Sequence, residues 1–330
     1  MGEATTGGKP SRIRRAHVVL AMKLVVAAFL VWWLARSGLL DVKRLEGVRL
    51  GLDLVGVGAG LALSMGIPLA RWHLLLRARG VGLSLGTTAQ IGLIGYFATI
   101  VLPATGGQDL VRVVYASRGR TERAPDVLAT VLLDRFTGLL GIAVLGVTAG
   151  AALRVGATTT LADEALTTRL VVVSAALASG LGAVTVLAVS RPPFVGRLGA
   201  RVKKVDQLLT SFASFQRHRG ALGWSLALAV VAQLGNCIAY YFALRAFDAP
   251  VSLLGAMAVT PLVTLSSIIP VTPLGIGVMD ATAEQLFHVA GSSAGAEATM
   301  LVRAVLAAFS LVSGLAYLWP MVGPARASAE

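Results

Sequence analysis

Acidic residues are few in this chain: 16 Asp and Glu stand against 29 Lys and Arg, a net charge of +13. All charged residues together make up only 14% of 330, while 56% are hydrophobic and the mean hydropathy is +0.78, which excludes an ordinary soluble domain. Cysteine is nearly absent. Cys237 alone rules out a disulfide within the chain, and its apolar surroundings predict a buried thiol. His17, His73, His218 and His288 lie far apart without metal-ligand spacing, so no metal site and no cofactor are expected. Acidic clusters of the DxD or DDxxD kind are also missing, which weighs against a metal-dependent transferase. The first apolar run, 16–35, ends in tryptophans and Arg36 with no small-residue cleavage site, so it reads as a signal-anchor span.

What the chain does have is long apolar runs. Six full spans are expected at about 16–35, 52–71, 126–150, 168–190, 221–244 and 298–320. Two further apolar stretches, 87–117 and 252–290, are broken in the middle by Pro and Gly. The reading is an all-α polytopic membrane protein, one integral membrane domain over 1–330 with two re-entrant broken hairpins. The positive charges cluster between apolar runs, so they mark cytoplasmic loops beside anionic lipid rather than a nucleic-acid surface.

Basic residues set the expected orientation. Lys9, Arg12, Arg14 and Arg15 place the N-terminus inside; Arg71, Arg77 and Arg79 place the end of the second span inside. Arg118, Arg120 and Arg123 return the first broken stretch to the same side. The linker 191–220 holds seven basic residues against Asp206, and both termini are expected in the cytoplasm, with the protein in the plasma membrane. Segments 155–167 and 291–297 carry no Lys or Arg and read as outside. Segment 36–51 departs from the rule: it should be outside yet holds Arg36, Lys43, Arg44 and Arg49. Within the linker, Val195, Leu198, Val202, Val205, Leu209 and Phe212 recur at spacings of three and four, an amphipathic helix on the inner leaflet.

An internal repeat runs through the chain. LSLGTTAQIGLIGYFATIVLPATG (83–106) lies above VSLLGAMAVTPLVTLSSIIPVTPLG (251–275), with Leu102-Pro103 above Ile269-Pro270. Leu76-Arg77 matches Leu244-Arg245, and Leu133-Asp134-Arg135 matches Leu301-Val302-Arg303 at the same offset. The repeat halves are about 52–150 and 221–320; an odd number of crossings between them inverts the second. Inverted repeats with broken helices are common in secondary transporters.

Charges fall inside these spans. Asp134 and Arg135 lie near the middle of VLATVLLDRFTGLLGIAVLG, where a charge costs about 2.5–3.5 kcal/mol on insertion scales. Neighbours in sequence point about 100° apart on a helix, so each needs another partner: Asp109, Arg112, Asp280, Glu284 and Arg303 are the candidates. Each hairpin restarts as a helix, GGQDLVRVVYAS after the first break and LGIGVMDATAEQLF after the second. A restart presents free N–H groups and a positive dipole end, suited to an anionic head group. The candidate binding residues are therefore Gly106, Gly107, Gln108, Asp109, Arg112, Asp134, Arg135, Gly275, Gly277, Asp280, Glu284 and Arg303. The four carboxylates among them could hold a cationic group on the same lipid or carry protons. Gly56/Gly60 and Gly146/Gly150 are read as close helix packing rather than a dimer face.

With RWHLLLRARG, IGYFATIVLPATGGQDLVRVVYASR, LLDRFTGLL, IPVTPLGIGVMDATAEQLF and LVRAV assembled in that order, the chain resembles the lysylphosphatidylglycerol synthase transmembrane family, also called flippase-like. The family pattern usually has Gly-Gly-Asp after the proline; here Gln108 stands between Gly107 and Asp109, and Asp280 comes later after Gly275 and Gly277 than the family's acid does. In bifunctional members this region moves aminoacylated lipid between leaflets and a separate cytosolic domain synthesises it. The resemblance implies transport without synthesis here, since the chain stops at 330, about ten residues past its last span. The expected partner is a membrane lipid with an anionic or aminoacylated head group. A membrane-embedded transferase on a lipid-linked substrate is the alternative, and a non-catalytic assembly factor leaves the buried charge unexplained.

Overall fold

The computed structural model describes residues 51–101, 106–119, 121–155, 210–211, 213–249, 251–267 and 277–318, with a few single positions between 172 and 183. Two compact units divide the chain, Met1–Val42 and Lys43–Glu330, and every described residue lies in the second. The expected span 16–35 and the break positions Pro103, Pro270 and Gly275 lie outside the described residues, as do the expected span 168–190 and the amphipathic stretch 195–212 apart from scattered single positions and 210–211.

Eight α-helices form the described part: α1 (Leu52–Ala78), α2 (Leu85–Val101), α3 (Gly107–Ala116), α4 (Ala124–Val155), α5 (Arg219–Ala246), α6 (Leu253–Ser266), α7 (Val278–Val289) and α8 (Gly295–Ser313). Four helical stretches are long and apolar enough to cross a membrane: Leu52–Ala78, Ala124–Ala152, Ser214–Ala246 and Gly295–Leu318. Helices suit a lipid solvent because each backbone group is bonded within its own segment. The outer surface agrees with that solvent, since Leu52, Val55, Leu110, Val114, Trp224, Val312 and Leu315 are all exposed.

The order long, short, short, long occurs twice, and the chain ends its helices the same way at a fixed offset. The α1 C-terminus closes with Val81 N–H donating to the Leu76 carbonyl at 3.0 Å and Gly80 N–H to Arg77 at 2.9 Å. At α5 the same pair of bonds runs from Ala249 to Leu244 at 3.1 Å and from Asp248 to Arg245 at 3.0 Å. Both caps need a left-handed residue, supplied by Gly80 (φ 65°) and Asp248 (φ 54°), which stand 168 positions apart. The short helices also start alike: Ser84 Oγ accepts from Thr87 N–H at 3.1 Å, and Ser252 Oγ accepts from Gly255 N–H at 3.0 Å. Identical caps at one offset make the repeat a property of the backbone as well as of the sequence.

Helices α1 and α5 bring the halves together. A Cβ on Gly60 would stand 2.6 Å from the Ala239 nitrogen, and one on Gly235 would stand 2.7 Å from the Gly60 carbonyl oxygen. Backbone meets backbone there, the close approach that small residues permit in membranes. A Cβ on Gly56 would run into the Phe242 ring, so this glycine pair serves packing within the chain.

The second span runs past its expected end. The apolar pattern stops at Arg71, yet α1 continues to Ala78 with Arg71 inside it and buried. Arg71 is thus no loop cation marking orientation. A charge ends a span only when nothing compensates it.

Candidate functional site

Arg71 is compensated by Asp134. Its Nε donates to Asp134 Oδ1 at 2.6 Å, and its Nη2 donates to the Asp134 backbone carbonyl at 3.0 Å. From α3, Arg112 Nη1 donates to Asp134 Oδ2 at 2.9 Å. One carboxylate therefore joins three helices, each oxygen taking a different guanidinium. The three residues are 5%, 3% and 3% exposed for Arg71, Arg112 and Asp134, so the cluster is a dry one in which every bond counts.

The surrounding sequence makes room for this cluster. A Cβ at Gly138 would lie 3.2 Å from Arg71 Nη2, so the glycine one turn along α4 leaves space for the guanidinium. Trp72 lies under Arg112, with the guanidinium carbon 5.0 Å from the ring centroid, and its own Nε1 donates to Thr130 Oγ1 at 3.2 Å. Helix α3 is inside-out by soluble standards: Arg112 is buried while Leu110 and Val114 are exposed. That pattern fits a helix with lipid on one side and a polar interior on the other.

Nearer the surface, Arg135 Nε donates to Asp109 Oδ2, with 47% of the arginine side chain and 23% of the aspartate exposed. The two layers border a cavity of about 280 Å³ lined by Pro68, Arg71, Tyr96, Gln108, Asp109, Arg112, Asp134, Arg135, Gly138 and Leu139. Every lining residue comes from α1 to α4. Tyr96 contributes its ring and fixes its hydroxyl on the Met65 carbonyl at 2.7 Å, one turn before Pro68.

Residues 20–314 match a family model described as the lysylphosphatidylglycerol synthase TM region. The chain belongs to that family. No curated protein and no solved structure matches it. The cavity gathers five of the expected residues, Gln108, Asp109, Arg112, Asp134 and Arg135.

Gly277, Asp280, Glu284 and Arg303, the described residues expected from the second half, are not among its lining residues. Asp280 and Arg303 pair with each other in a two-bond fork, Nη2 to Oδ1 at 2.6 Å and Nη1 to Oδ2 at 3.2 Å. Asp280 Oδ2 also accepts from Gly277 N–H at 2.9 Å, capping its own helix. Glu284 Oε2 accepts from Ala296 N–H at 3.0 Å, holding the first turn of α8. Glycine freedom is used at Gly277 (φ 82°) and not at Gly106, whose φ of −101° any residue adopts; Gly107 is buried at the start of α3. Sequence reasoning missed Arg71, Trp72 and Gly138. The signal for Arg71 was present, since a lone Arg one residue inside an apolar run that resumes as HLLL is better read as buried than as a boundary.

Proposed function

We propose that this chain moves a polar lipid, anionic or aminoacylated in its head group, between membrane leaflets as a flippase-like transporter and not as an enzyme. The observation that carries the reading is the cavity walled by Arg71, Arg112 and Asp134, buried groups of which Arg71 and Asp134 stand on helices long enough to cross a membrane and Arg112 on the short helix α3. A head group can exchange its hydration for such fixed charges while its tails stay in lipid. A purely packing role for three charges is a weak alternative, because well-fitted apolar residues would serve as well or better. Family membership supports the membrane setting, and the plasma membrane is the location we assign.

The finer topology belongs to the same reading. The halves are related by inversion, each broken stretch returns to the side it entered, and both termini face the cytoplasm. A single cysteine at position 119 in a Cys237→Ser background is expected to resist labelling by an impermeant reagent from outside; labelling there overturns the re-entrant arrangement. The function itself is tested with the purified chain in liposomes carrying a head-group-labelled anionic lipid on one leaflet. Accelerated exposure on the other leaflet, with the lipid chemically unchanged, is expected. A new covalent lipid product would replace transport by the transferase reading.

A further inference from the structure

The cavity's charges do not balance, and the imbalance has one sign. Among the described residues of the lining, Arg71, Arg112 and Arg135 stand against Asp109 and Asp134, an excess of one positive charge. The bonds show where the excess sits. Both Asp134 oxygens are taken, by Arg71 at 2.6 Å and by Arg112 at 2.9 Å, and Asp109 is taken by Arg135. Each carboxylate on the wall therefore already has a guanidinium partner. Arg112 is the reverse case. It is 3% exposed, its Nη1 is used, and its Nε is buried with no hydrogen-bond partner among the described residues. A buried charged donor left without an acceptor is costly, so a group that supplies the acceptor gains that interaction.

From this we infer that the cavity selects a head group with a single negative charge and no cation of its own, a phosphodiester whose oxygens accept from Arg112. The inference rests on the lipid-moving reading and narrows it to the plain anionic lipid over the aminoacylated one. One negative charge cancels the excess. A neutral head group leaves Arg112 as it is. A phosphomonoester with two charges overshoots, and an aminoacylated phosphodiester adds ammonium to walls that are already positive. In a poorly hydrated site an unmatched charge is penalised far more than in water. Asp109, already matched by Arg135, then governs access at the cavity mouth and does not read an amino group.

The test is binding to the full chain in phosphatidylcholine nanodiscs, by displacement of a fluorescent phosphatidylglycerol. The competitors are phosphatidylglycerol, its aminoacylated derivative, phosphatidic acid and diacylglycerol. Phosphatidylglycerol is expected to compete about tenfold better than each of the others, the gain of one charge-assisted contact. Equal or better competition by the aminoacylated lipid overturns the inference. Arg112→Lys keeps the charge and removes the Nε donor, so the phosphatidylglycerol affinity of the folded variant should fall by about tenfold. Unchanged affinity removes Arg112 as the anion contact, and if the variant melts early, the ranking of the four lipids on the unaltered chain still decides. The two readings fail separately. Selective binding without transfer between leaflets sinks transport alone, whereas preferential transfer of the aminoacylated lipid sinks the charge assignment alone.

Discussion

The two halves share their helix order and caps but differ in what lies beneath the surface ion pair. Asp109 and Asp280 are each the third residue of a restarted helix, and each pairs with an arginine on the next long helix, Arg135 and Arg303. Below the first pair lie Arg71, Arg112 and Asp134. At the matching places of the second half stand Ala239, Ala283 and Val302, all buried in one apolar cluster with Tyr240 and Phe287. The rings of those two stack with centroids 5.7 Å apart. A repeated scaffold thus carries a polar interior once and an apolar one once. The lesson is that the backbone repeat sets positions, and side chains at three of them decide which half has a charged interior.

The largest break in this comparison should come from Asp134→Ala. It strands two buried guanidinium groups, and removing one partner of a buried ion pair costs about 3–5 kcal/mol. The expected outcome is a large drop in detergent melting temperature and in folded yield. A loss below about 1 kcal/mol would mean that water reaches the cluster. Asp134→Asn keeps the shape, and its transport loss is expected to exceed its loss of folded protein.

Next come the paired arginines, which should exchange their effects. Arg303 is 11% exposed and doubly bonded to Asp280, so Arg303→Gln is expected to cost about 1–3 kcal/mol of stability. Arg135 is 47% exposed, so Arg135→Gln should cost less than about 1 kcal/mol. Transport should show the opposite order, because Arg135 borders the cavity and Arg303 does not. Parallel ranking of the two variants in both assays would erase the distinction between the halves.

The smallest effect sharpens the comparison at the restart itself. Gly277→Ala places a side chain at φ 82°, for which about 1–2 kcal/mol of backbone strain is expected. Gly106→Ala, at φ −101° and with open space around its Cβ, should be near neutral in stability. Paired melting curves of the two variants check this difference.

Much was legible from residues alone. Four of the expected spans fall on helices of sufficient length and apolarity, because a run of apolar residues in lipid has few structures open to it. The repeat offset was also legible, since caps depend on local chemistry: Ser84 and Ser252 at starts, Gly80 and Asp248 at ends. So was the need of Asp134 and Arg135 for separate partners, which follows from the angle between neighbours on a helix.

The partners themselves were decided by tertiary structure. The acid that meets Arg71 lies 63 positions away, and the pair forms only because α4 arrives alongside with Gly138 in the facing turn. Likewise the sequence offered Asp109, Asp134, Asp280 and Glu284 as equal carboxylates. Packing made them unequal, setting two beside the cavity, tying one to Arg303 and spending the last on the first turn of α8. Sequence alone determined that this chain would bury charge among apolar helices. Which charges meet is a matter of distances between helices, and these are fixed by close contacts such as Gly60 against Gly235, made between residues far apart in the chain.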